Sequence, residues 1–198
     1  MNNKYIKWLI FGGVILVLFF WIIGSYNGLV NKDVDVQKAW SNVETQYQRR
    51  SDLIVNIVKI AMKASKVENK ILRDVIEARN NANSIKVDPT KLSEESINKF
   101  AMAQNQVKSS FNVVVEQYPD LKSIPQFAKI QDEIAGTENR VGTSRTDFNA
   151  AVSDYNKSVR KFPSNIFAGI FGFQQKATFK ADEGTDKAPN LDEVLDKE

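Results

Sequence analysis

The chain has 198 residues, 27 Lys and Arg against 24 Asp and Glu, a formal net charge of +3, and neither His nor Cys. That inventory excludes thiol nucleophiles, imidazole bases and His-ligated metals, and it supplies no disulfide framework. Once about 25 residues are set aside for a membrane anchor, the remaining length suits one domain.

Between Lys7 and Lys32 no residue is charged, and Trp8 to Gly24 is apolar throughout. A transmembrane helix needs about 17 to 25 such residues, so Trp8, Phe11, Leu16, Phe19, Phe20 and Trp21 are read as the anchor. The two tryptophans suit the aromatic belts at the membrane surfaces. A cleaved signal peptide would have a shorter apolar region and small residues where Trp21, Ile22 and Ile23 stand, so the segment is read as retained. Lys4 and Lys7 precede the span, while Lys32 and Lys38 follow it beside Asp33 and Asp35. The positive-inside rule then favours a cytoplasmic N-terminus, a single pass of the cell membrane and an extracytoplasmic bundle.

From Val36 onward the apolar residues alternate spacings of four and three, the a/d seam of a bundle helix. The first seam runs through Trp40, Val43, Tyr47, Arg50, Ile54, Ile57, Ala61, Ala64, Glu68, Ile71, Val75, Ala78 and Ala82, with Arg50 and Glu68 as its charged members. Asp88-Pro89 reads as a cap with a first-turn proline opening a second seam, Ile97 to Tyr118, which Pro119 stops. Ser123 and Gln126 have capping-box spacing and open a third seam from Phe127 to Phe162, ended by Pro163. As single helices the three segments would be about 87, 43 and 58 Å long, a poor match. A break near Ser51-Asp52 would give four helices in up-down-up-down order, although the seam crosses that point without losing phase. The fold class is therefore all-α: a transmembrane helix followed by an antiparallel bundle of long helices over 26–163, with three and four helices both open from the residues alone.

Ser164-Asn165 can cap a short helix. Ile166, Phe167, Ile170, Phe171 and Phe173 then form an apolar cluster within 164–181, too short to span a bilayer. With an even number of long helices it would return to the membrane and meet lipid or a membrane partner, and with an odd number it would lie at the far tip; the alternative to an interaction role is a cap on the open end of the bundle. The tail 182–198 holds seven acids and two lysines, a net of −5 that leaves +8 on the remainder, and reads as disordered. No basic cluster interleaved with aromatics points to nucleic acid.

An aromatic residue, asparagine, two variable residues and valine recur at 26–30, 111–115, 148–152 and 155–159. The aromatic and the valine share a helix face, so the pattern is read as packing, with the asparagine bonding across helices to fix register. Arg50, Glu68 and Arg145 are candidate register-setting polar residues; the sharper alternative is a pocket in which the seam arginines hold an anionic ligand. Ser96/Lys99 and Ser158/Lys161 have serine-lysine dyad spacing, but companion motifs of such hydrolases are missing. Asp132 and Glu133 point to different helix faces, and no phosphate-binding glycine loop is present.

The chain resembles the LemA family of bacterial membrane proteins. The similarity rests on YNGLV at 26–30, AWSNVETQYQRRSDLIVNIV at 39–58, EAR at 77–79, EQYPDLKSIPQF at 116–127 and TENRVGTSRTDFNAAVSDYNKSVRKFPSNIFAGIFGF at 137–173. It implies one N-terminal anchor, a four-helix bundle and no established molecular activity. Val55 departs from the proline usual in the family, and Phe148 from the usual tyrosine. Taken with the residue inventory, the chain is expected to be a non-enzymatic scaffold or adaptor without cofactors. It would work with a protein partner in the envelope or self-associate; the alternative is a ligand-binding or sensing module.

Overall fold

Helical phase carried without interruption from the apolar run into the first seam produces one long helix. The computed structural model describes residues 3–64 and 68–180, with side chains from Trp8 onward. Its elements are α1 (Asn3–Lys63), α2 (Asn69–Ser84), α3 (Glu94–Gln117), a 3₁₀ turn over Pro119–Ser123, α4 (Pro125–Arg160) and α5 (Ser164–Phe171). No strand occurs among the described residues, and the acidic tail 182–198 lies outside them.

The part of α1 after the apolar run and helices α2, α3 and α4 form the four-helix bundle. Arg79 of α2 pairs with Asp52 of α1 at 2.6 Å, and Tyr47 and Arg50 of α1 meet Phe100 and Gln104 of α3. Trp40 of α1 packs on Phe148 of α4 at 5.3 Å. The expected break near Ser51-Asp52 is absent. Ser51 is buried within the helix, and the Asp52 carboxylate accepts from Gln48 and Arg79 instead of capping a helix start. The first seam is interrupted instead after Ala64, and Glu68 becomes the exposed N-cap residue of α2.

Three expected helix starts shift. Asp88 does not open α3: its Oδ1 accepts from the backbone N–H and hydroxyl of Thr90, which hold this carboxyl below the usual carboxylate range. The true cap is Ser93, in a capping box with Ser96. Ser123 lies in the 3₁₀ turn and donates to the Asp120 carbonyl, so α4 begins at Pro125, a residue suited to the first turn because it has no N–H to leave unpaired. In α5, Pro163 takes the N-cap position without a side-chain bond, and Ser164 is already helical.

Two apolar clusters fill the bundle. The distal one gathers Ile54, Ile57, Val58 and Ala61 with Val75, Ala78, Val107, Phe111, Phe127 and Ile134. The proximal one joins Val36, Trp40, Val43 and Tyr47 to Phe100, Phe148, Val152 and Tyr155. Arg50, Gln104 and Thr137, all buried, fall between them on three helices. At 16 residues, or about 24 Å, α2 is too short to cover the proximal half. That side is closed by Val87 and Leu92 of the α2–α3 connection and by Phe173, Ala177 and Phe179 of the segment after α5. Phe162, assigned to the third seam, lies beyond the end of α4 and is exposed.

Candidate functional site

Among the described residues α1 is the one helix long and apolar enough to cross a membrane, and its most apolar window buries nothing inside the protein. Trp8, Phe11, Leu16, Phe19, Phe20 and Trp21 are all exposed. Because four bundle helices return the chain to its starting level, α5 lies against the exit of this segment. The Phe167 ring meets Trp21 edge-on at 5.2 Å, and Phe171 and Phe173 meet Tyr26 at 4.9 and 5.9 Å. Ala168 is buried, whereas Ile166 and Ile170 are exposed. Of the five cluster residues, three therefore face α1 and two point away from it.

After α5 the chain turns at Gly172, whose φ of 78° is the left-handed conformation that glycine adopts without strain, and Phe173 N–H closes the turn on the Ala168 carbonyl at 2.9 Å. Residues 173–180 then run extended along α4 as a strap. Asn156 Oδ1 accepts from the Lys176 backbone N–H at 2.9 Å, and its Nδ2 donates to the Lys176 carbonyl at 2.8 Å. Asn149, one heptad earlier, repeats this with Phe179 at 2.9 and 3.0 Å. On the opposite side Ala177 N–H donates to the Leu92 carbonyl at 3.0 Å.

Two strap side chains enter the bundle. Lys176 is buried, its Nζ 2.6 Å from Asp33 and 2.7 Å from the Pro89 carbonyl, over the Tyr155 ring. Phe179 stacks on Trp40, with ring planes 13° apart, and against Phe148. Arg145, one of the candidate register-setting residues, donates to the Lys180 carbonyl at 2.9 Å and covers the Phe179 ring. The asparagines likewise bind the strap and not a neighbouring helix, while Asn27 and Asn112 are exposed. Apolar spacing cannot find Lys176 or Phe179; the legible signal was the pair of asparagines a heptad apart.

Of the other polar candidates, Arg50 donates to the Gln104 carbonyl at 3.3 Å and lies over the Tyr47 ring at 4.9 Å. No ion pair to it occurs among the described residues, and burial lowers its pKa. Glu68 is exposed at the start of α2, outside the bundle seam. A groove of about 600 Å³ opens beside Gln104, and its lining includes Arg49 and Lys86 as well as Glu44 and Asp52. Ser96 is committed to the α3 cap, and Ser158 donates to the Asp154 carbonyl.

The LemA family matches residues 39–192, well over half of the chain. The chain belongs to the LemA family. The match takes in the bundle from Ala39 onward, α5 and the strap. Protein LemA of Metamycoplasma hominis is 23% identical over 181 residues, covering 91% of this chain and 80% of that protein. Magnetosome protein MamQ 2 of Paramagnetospirillum magneticum is 28% identical over 183 residues, covering 80% of this chain and 66% of that protein. Magnetosome protein MamQ of Magnetospirillum gryphiswaldense is 25% identical, with 80% and 65% covered. The chain thus spans about two thirds of the MamQ relatives' length. Membership of the LemA family, together with the apolar part of α1, makes this a membrane-associated protein.

Proposed function

We propose that this LemA-family chain is a non-enzymatic, single-pass scaffold or adaptor of the bacterial cell envelope, acting on another membrane protein or a second copy of itself. The observation that carries the reading is the continuity of α1, which is at once the apolar segment and the first bundle helix. A continuous helix transmits position and orientation, since residues 25–63 rise about 58 Å along one axis. Further support comes from polar groups committed to structure: the serines of both dyad spacings bond backbone carbonyls, and the seam arginines bond main chain or aromatic rings. In this reading 1–25 is the stub and anchor, 26–163 the bundle, 164–181 a membrane-proximal segment and 182–198 an acidic tail. Lys4 and Lys7 favour a bundle outside the cytoplasm.

The test uses the absence of native cysteine. A Ser153→Cys variant, at an exposed position of α4, should react with a membrane-impermeant maleimide in cells whose inner membrane is intact, and a photo-crosslinker at that site should capture a defined envelope protein or a second copy. Labelling only after lysis would overturn the placement. Crosslinking that yields no protein adduct from intact cells would overturn the adaptor role.

A further inference from the structure

The α5 helix has two apolar stripes, and only one is used within the chain. Phe167, Ala168 and Phe171 are turned to α1 and the bundle. Ile166 and Ile170, spaced by four on α5, form the other stripe and are 51% and 69% exposed, and Phe162, in the turn between α4 and α5, is 74% exposed. Side chains at that spacing share one face of a helix.

The level of this stripe relative to the membrane is fixed by its neighbours. Its companion residues contact Trp21 and Tyr26, five residues apart and so about 7.5 Å along α1. That interval straddles Gly24, where the apolar run ends. Just before the stripe, Arg160 and Lys161 close α4 and are exposed. An apolar stripe flanked by cations, at the height where a span leaves the hydrocarbon, has the chemistry of a segment embedded at the boundary between acyl chains and anionic headgroups.

We propose that Phe162, Ile166 and Ile170 insert into the lipid interface beside the anchor, with Arg160 and Lys161 on the headgroups, giving the bundle a second membrane contact. One helix leaves a bundle free to rotate and lean; two adjacent contacts fix its tilt. The proposal rests on α1 crossing the bilayer, and the experiment separates the two.

The full chain, carrying single cysteines labelled with bimane at Leu16, Ile166, Ile170 or Ser153, is placed in nanodiscs of phosphatidylcholine and phosphatidylglycerol with nitroxide on the upper acyl chain. Circular dichroism melting confirms that each labelled variant is folded. Emission at Ile166→Cys and Ile170→Cys should be blue-shifted and quenched at least two-fold, as at Leu16→Cys, while Ser153→Cys stays unquenched. Quenching at Leu16 without quenching at 166 and 170 overturns the lipid contact and leaves the anchor in place. No quenching at Leu16 overturns both. Protection of 166 and 170 from maleimide in cells, without lipid quenching in nanodiscs, would assign the stripe to a protein and overturn the proposal equally.

Discussion

Asn156 holds both backbone polar groups of Lys176, accepting from its N–H and donating to its carbonyl within 3 Å. A backbone segment outside any helix or sheet must find partners elsewhere, and here one side chain supplies both. Asn156→Ala leaves a part-buried donor and acceptor unmatched and should cost about 2 kcal/mol, with about 1–3 expected for each such group. Urea melts give the loss. Amide exchange locates it, because the Lys176 N–H should lose protection while the centre of α1 keeps it.

Truncation tests whether the strap belongs to the fold. Phe179 is buried between Trp40 and Phe148, and removing such a ring from a core costs about 3–5 kcal/mol. A chain ending at residue 180 should melt like the full chain, and one ending at 172 should lose at least as much stability as Phe179→Ala. Equal melting of the 172 and 180 truncations would show that the strap rests on the bundle without supporting it.

These two experiments concern the part of the molecule that periodicity could not show. The seams announced the helices because burial along a helix recurs every three or four residues, and Trp40, Ile54, Val107 and Phe148 are buried where that period places them. Helix count was harder, since phase continues through Ser51-Asp52 and on towards Glu68, whereas the interruption between α1 and α2 carries no proline or glycine. The strap has no apolar period of its own: its backbone is held by Asn149 and Asn156, and its two inserted side chains, Lys176 and Phe179, have partners 87 and 139 residues away in sequence at Pro89 and Trp40. The cluster at 166–173 was visible as composition, but its division into a stripe facing α1 and a stripe facing outward depends on how α5 docks.

Arg50 provides a test of what the polar layer does. The residue is 4% exposed, and its guanidinium has a carbonyl and a ring as partners instead of a carboxylate. Burying a charge so incompletely matched favours replacement by an apolar residue of similar length. Arg50→Met should therefore melt at the same temperature or higher, while losing dispersion in amide spectra if the layer fixes helix alignment. A loss above about 2 kcal/mol would instead make the arginine a net stabiliser.

Asp33 and Lys176 pose the opposite case, a pair closed at 2.6 Å with the lysine side chain 3% exposed. Removing one partner of a buried pair leaves the other uncompensated, at a cost of about 3–5 kcal/mol. Asp33→Asn should approach the low end of that range, because the Pro89 carbonyl and the Tyr155 ring still receive the ammonium. Denaturant melts check the size, and the double variant Asp33→Asn with Lys176→Met should recover part of the loss. Losses that simply add would show that the two charges do not interact energetically.

Alkaline pH offers a reading of the same corner. Burial, with the Asp33 carboxylate adding to it, pushes the Tyr155 phenol up to about 12, whereas a tyrosine in an unfolded chain titrates near about 10. Below about pH 10 both states keep the proton and this group leaves stability unchanged. Between about 10 and 12 the unfolded state has released it while the folded state still holds it, so the unfolded state binds fewer protons and stability falls as pH rises. Tyr155→Phe removes that contribution. Urea melts at intervals across this range should show the unsubstituted protein losing stability more steeply than Tyr155→Phe, with the two curves parallel below about pH 10. Curves that stay parallel to pH 12 would mean that the phenol titrates alike in both states, and that its burial against Lys176 and Asp33 is not maintained in solution.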